Sequence, residues 1–185
     1  MSAGNNNSAL MWQTFSMTPT TTPDWEQRLA ALWATLDDRS EPDFLAAMSQ
    51  LAAELPANHA AAMFEQAAAL DSTGHSDLAV ALYGKALERG LSGVRRRRAV
   101  IQMASSLRNL GRAPDSVALL TAELDAASDD LDDAVRAFLA LALVDTGRER
   151  EAVALALTAL ARHLPRYQRS LRNYARLLAD DGAPR

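Results

Sequence analysis

Three stretches of this chain repeat one arrangement of small, apolar and glycine residues. The first is Ala67, Leu70, Gly74, Ala79, Tyr83, Ala86 and Leu87; the second is Ala104, Leu107, Gly111, Ser116, Leu120 and Leu124. The third is Ala140, Leu143, Gly147, Ala152, Ala156, Ala159 and Leu160. The glycines stand 37 and then 36 residues apart, each between two amphipathic runs. A fixed period of this length marks an array of helical hairpins, because one hairpin cannot bury its apolar face alone. Composition agrees: aromatic residues are 5% of the chain and Ile101 is the only isoleucine. A chain built on alanine and leucine favours close-packed helices over strands.

The same composition limits the class of protein. No run of 18 apolar residues predicts a membrane-spanning helix, and no basic segment followed by an apolar core predicts a secretory signal. The absence of cysteine removes disulfides and thiolate chemistry and fits a reducing, cytoplasmic setting. Of 19 basic residues only Lys85 is lysine, which with the abundant alanine points to a GC-rich bacterial genome. A net charge of −4 argues against general affinity for nucleic acid.

Residues 1–22 carry no charge and are rich in Asn, Ser and Thr, so they are expected to be a disordered tail. One domain is expected over 23–182. Thr22 with Pro23 reads as a helix start, after which Trp25, Leu29, Leu32, Trp33 and Leu36 form one apolar face. Trp25 and Trp33 fit either a core or an exposed dimer patch. Ser40 with Asp43 resembles a capping box opening a second helix lined by Phe44, Met48 and Leu51. Three hairpins follow at about 58–89, 94–126 and 130–162. Pro165 closes the last, and a capping helix is expected over 166–180.

These residues resemble the tetratricopeptide repeat family. Its helix A and helix B approach through small residues, matched here by Ala67 with Ala79, Ala104 with Ser116 and Ala140 with Ala152. Gly74, Gly111 and Gly147 match the turn glycine. Tyr83, Leu120 and Ala156 stand at the bulky helix-B position. The resemblance covers about 60–165 and looks closest to small bacterial repeat proteins of unassigned activity. It implies an all-α, right-handed α-α superhelix with an N-terminal helical pair, three hairpins and a C-terminal capping helix. It also implies an interaction scaffold that binds a protein or peptide in its concave groove.

Charge is segregated along the array. Residues 89–114 hold seven arginines and no acid, 115–133 hold seven acids and no base, and 162–176 hold five arginines and no acid. Such blocks serve either as pairing between neighbouring helices or as a basic surface for an acidic peptide or a C-terminal carboxylate. In the second helix A, Arg98, Ser105 and Asn109 fall on about one face with Gln102 and Arg108 beside it, apart from the apolar set. Arg169 and Asn173 of the last helix are expected in a similar setting. Arginine's planar fork holds a carboxylate in a bidentate manner and Asn can meet peptide groups, so these seven residues are the candidate peptide site.

Two other readings stand beside it. The hairpins could serve self-association as a homodimer. The run Arg95, Arg96, Arg97 and Arg98 could contact nucleic acid, although no Phe, Tyr or Trp lies between Tyr83 and Phe138 to stack on bases. Catalysis is not expected. His59, His75 and His163 have no partner at i+3 or i+4 for a metal, Ser105 and Ser106 lack a glycine elbow, and the aspartate pairs sit at helix ends. No cofactor is expected.

Overall fold

The computed structural model of the chain describes residues 21–126 and 128–180. Of the expected disordered tail, residues 1–20 lie outside this range, as do the last two residues expected in the domain. Among the described residues every regular element is helical: α1 (Pro23–Trp33), a 3₁₀ turn (Leu36–Asp38), α2 (Glu41–Ala52), α3 (Ala60–Ser72), α4 (Ser76–Glu88), α5 (Gly93–Asn109), α6 (Ala113–Leu124), α7 (Asp132–Val144), α8 (Glu149–Ala161) and α9 (Gln168–Asp180).

Local signals set the helix ends. The Thr22 hydroxyl accepts from the Trp25 amide at 3.2 Å, and Ser40 accepts from the Asp43 amide at 3.4 Å, both satisfying first-turn donors that have no helical partner. The three repeat glycines end their helices in the left-handed region, at φ +91°, +76° and +74°. Each turn is closed in the same way. The amides of His75, Arg112 and Arg148 donate back to the carbonyls of Leu70, Leu107 and Leu143 at 2.9 Å. A residue free to take positive φ is what lets helix A stop and helix B begin after only three or four residues.

The small pairs are where the backbones approach. Ala67, Ala79, Ala104, Ser116, Ala140 and Ala152 are all buried. Helices α3/α4, α5/α6 and α7/α8 are the hairpins; α3 lies against α5 and α5 against α7, so helices A form one wall. The initial pair packs through Trp25, Leu29, Phe44 and Met48. Trp25 is enclosed and donates its indole N–H to the Leu51 carbonyl at 2.9 Å, which places it in the core and not in an exposed patch.

The final helix departs from the stacking rule. On α4, Val80, Tyr83 and Leu87 are covered, and on α6 so are Val117, Leu120 and Leu124. The equivalent stripe on α8, Val153, Ala156 and Leu160, is exposed. Meanwhile Ala154 and Ala161 are buried on α8, whereas their counterparts Ala81 and Glu88 on α4, and Ala118 and Asp125 on α6, are exposed. At 100° per residue these two sets are centred about 120° apart around the helix. Helix α9 therefore caps the outer side of α8, not the side on which α5 and α7 dock. Tyr167, at φ +69°, makes the turn that sends it there.

Candidate functional site: the inner face of the helix A wall

The arginine run at the start of α5 is largely committed to binding its own neighbours. Arg95 forks onto Glu26 at 2.6 and 2.9 Å and donates to Glu65 at 2.8 Å. The buried Glu65 also accepts from the Trp33 indole at 3.0 Å, so one carboxylate ties α1, α3 and α5 together. The Arg95 fork holds the Glu26 carboxyl below the usual range, and the two carboxylates hold the Arg95 guanidinium above its usual value.

Arg97 is 4% exposed and reaches Asp132 at 2.6 Å, Asp129 at 3.2 Å and Glu123 at 3.4 Å; Arg96 reaches Glu123 at 2.7 Å. Asp132 also accepts from the Ser128 hydroxyl at 2.6 Å and the Asp129 amide at 3.2 Å; those bonds, with Arg97 nearby, depress its carboxyl. The basic block 89–114 thus meets the acidic block 115–133 across the hairpin junctions. An arginine run engaged with five carboxylates presents no continuous cationic strip to a phosphate backbone.

Arg98 is the exception. It is exposed, and its guanidinium lies 5.2 Å from the Phe64 ring centroid. Arg98, Gln102, Ser105 and Asn109 occupy a single arc of α5 about 60° wide. One edge of this arc faces α3, where the Ser106 hydroxyl donates to Asp71 at 2.6 Å. The other edge faces α7, where Arg108 pairs with Asp145 at 2.7 Å. Helices α4 and α6 cover the opposite side. The arc is therefore the inner surface of the array. Among the described residues, none of these four side chains has a hydrogen-bond or ion-pair partner, and the Gln102 Oε1 is buried without one. Arg108 sits at the edge, held by α7.

The neighbouring helices continue the surface differently. The matching positions on α7 are Ala134, Phe138, Leu141 and Asp145, so an apolar strip adjoins the polar one. On α3 they are Ala61, Glu65, Ala68 and Ser72, the first three buried. The exposed side chains of this face are therefore carried mainly by α5 and α7. Phe138 and Leu141 carry no polar signal in the sequence and were not among the expected site residues, although the 36-residue offset from Gln102 and Ser105 marks them. Arg169 and Asn173 are exposed on α9 and point away from α8, so the structure does not bring them to the α5 group.

On the outer surface, a cleft of about 490 Å³ runs between α6, α8 and α9. Leu139 and Leu143 form its floor, Leu124 and Leu155 its walls, and Arg172 and Arg176 its rim. Among the described residues no helix is long and apolar enough to cross a membrane, and no group of three side chains could hold a metal ion.

Residues 60–178 match the family model described as tetratrico peptide repeat, which takes in all three hairpins and most of α9. No curated protein and no solved structure gave a significant match. The glycine-closed turns, the small-residue contacts and this match over more than half of its length show that the chain belongs to the tetratricopeptide repeat family.

Proposed function

We propose that the protein is a scaffold that docks a peptide or protein segment on the inner face of α5 and α7. Tetratricopeptide repeats generally mediate protein–protein interaction and are not generally catalytic. The observation that carries the reading is the arc of Arg98, Gln102, Ser105 and Asn109, four side chains with no internal hydrogen-bond or ion-pair partner among the described residues, on a wall whose other arginines are ion-paired. Arg98 supplies a charge-assisted donor for a side-chain or C-terminal carboxylate, Asn109 and Gln102 supply amide groups for a peptide backbone, and Phe138 takes an adjoining apolar residue. Arg108 acts through its pair with Asp145, fixing the edge of the arc. A pull-down from native lysate, wild type against Arg98→Ala with Asn109→Ala, tests this. Partners captured by wild type and lost by the double variant are expected; equal capture by both would remove the arc from binding.

We also propose that the chain self-associates. A different observation supports this: seven of the ten large apolar side chains most exposed among the described residues fall between 141 and 177.

A further inference from the structure

We infer that two copies of the chain associate about a two-fold axis through the vacant stacking face of the third hairpin. The inference rests on the self-association reading and names its surface. Within this chain, helix B has been seen to need cover twice: α5 covers the stripe of Tyr83, and α7 covers the stripe of Leu120, leaving both at 0% exposure. The third stripe has no such cover. Val153 is 46% and Leu160 49% exposed, with Ala156 exposed between them.

The partner helix A shows the same vacancy. Positions that on α3 and α5 face the next helix are Phe64, Ala68 and Asp71, then Ile101, Ser105 and Arg108. None of these six is exposed. Their counterparts on α7 are Ala137, Leu141 and Val144, and all three are exposed. Because Arg172 and Arg176 of α9 line the cleft on the α6 side, Tyr174 falls on the other side of that helix, level with the vacant face, and the exposed Tyr167 stands just before the helix.

The occupant follows from charge and size. The central positions of the face, Val153, Ala156, Leu160, Ala137, Leu141 and Val144, are uncharged, and the exposed Glu149 stands at the end of the α8 stripe, so a second copy meets the centre with no like-charge repulsion. Stacking the N-terminal end there would set apolar against acidic surface. Residues 21–58 carry seven acids against two arginines, and no large apolar side chain among the described residues before Leu78 is strongly exposed. Like against like, a two-fold contact, is the remaining match. The three helices are each 13 residues, about 20 Å at 1.5 Å per residue, and pack about 9 Å apart. The face is therefore about 20 by 25 Å in plan, about 500 Å², the scale of a small interface beside the roughly 800 Å² per partner of a standard one.

The test is solution mass by light scattering across a dilution series of the full chain. Wild type is expected at twice the 20.0 kDa of the chain. Val153→Asp with Leu160→Asp buries an unpaired charge in the contact and should weaken the dimer about 100-fold. Leu78→Asp, at an equally exposed site on α4, should leave it intact. A wild-type monomer at every concentration overturns both self-association and this face. A dimer that survives the double variant overturns the face alone. A monomer that becomes a dimer when residues 1–20 are removed makes that segment the occupant and also overturns the proposal. If the double variant misfolds by circular dichroism, amide exchange of wild type decides: protection over 153–160 that falls on dilution supports the contact, and protection independent of dilution overturns it.

Discussion

The second and third hairpins are built to one plan yet end differently. In the second, Leu120 is enclosed and the next helix A closes over it; in the third, Ala156 stands at the same position and is open to solvent. At the entry to the second hairpin, buried and half-buried ion pairs lock α5 to α1, α3, α6 and α7. After the third, the chain turns away at Tyr167 and α9 seals the outer side of α8. A side chain large enough to fill the space between successive hairpins is what draws the following helix into register. With alanine there, little burial is gained on that side, and the alanine-lined outer arc of Ala154 and Ala161 offers α9 a closer approach.

The two hairpins should therefore respond unequally to substitution. The largest effect is expected at Tyr83→Ala, where emptying a filled junction should cost about 3–5 kcal/mol in urea unfolding. Ala156→Gly at the matching third position should cost only about 1 kcal/mol, as a helix-propensity change where no helix of the same chain packs. If the two losses were equal, the junctions would be equivalent after all.

Removing the Arg97 side chain as Arg97→Ala leaves the Asp132 and Glu123 carboxylates uncompensated at a largely buried site, and about 3 kcal/mol should be lost. Arg98→Ala, one residue away but without an ion pair, should change unfolding by less than about 0.5 kcal/mol. Losses of similar size would mean that the groove arginine is structural.

Two backbone changes come next. Gly111→Ala, at φ +76° with open space around it, should lose about 1 kcal/mol from backbone strain alone. Tyr167→Gly relieves a positive φ on a bulky residue, and melting should rise or hold. A clear fall would show that the Tyr167 ring holds α9 in place.

The smallest effect is expected from acid. Glu26 and Asp132 have depressed carboxyl pKa values in the folded state, so the stability they add is fully present above the ordinary carboxylate range near 4 and is lost as pH falls through the folded values. Melting followed from pH 6 down to 2 should show this loss, and Asp132→Asn should flatten it. An unchanged profile in that variant would assign the acid response to other groups.

Much of the fold was legible in order along the chain. Gly74, Gly111 and Gly147, the small pairs and the caps at Thr22 and Ser40 act over a few residues, where chemistry and spacing suffice. The inner arc was legible too, since Arg98, Gln102, Ser105 and Asn109 share one side of a single helix. The commitment of Arg95 and Arg97 was not, because Glu26 and Asp132 lie 69 and 35 residues away in sequence. Nor was the separation of Arg169 and Asn173 from the α5 group, which depends on which side of α8 the last helix chooses.

By itself, then, the sequence determined the hairpins, their period and their family, because turn glycines and small-residue contacts are local constraints repeated three times. Only the tertiary structure decided which arginines are paired, which arc of α5 is open, and that α9 leaves the stacking face of α8 uncovered. Those outcomes depend on surfaces brought together from distant segments, where one alanine in place of a larger side chain alters which face of a helix is worth burying.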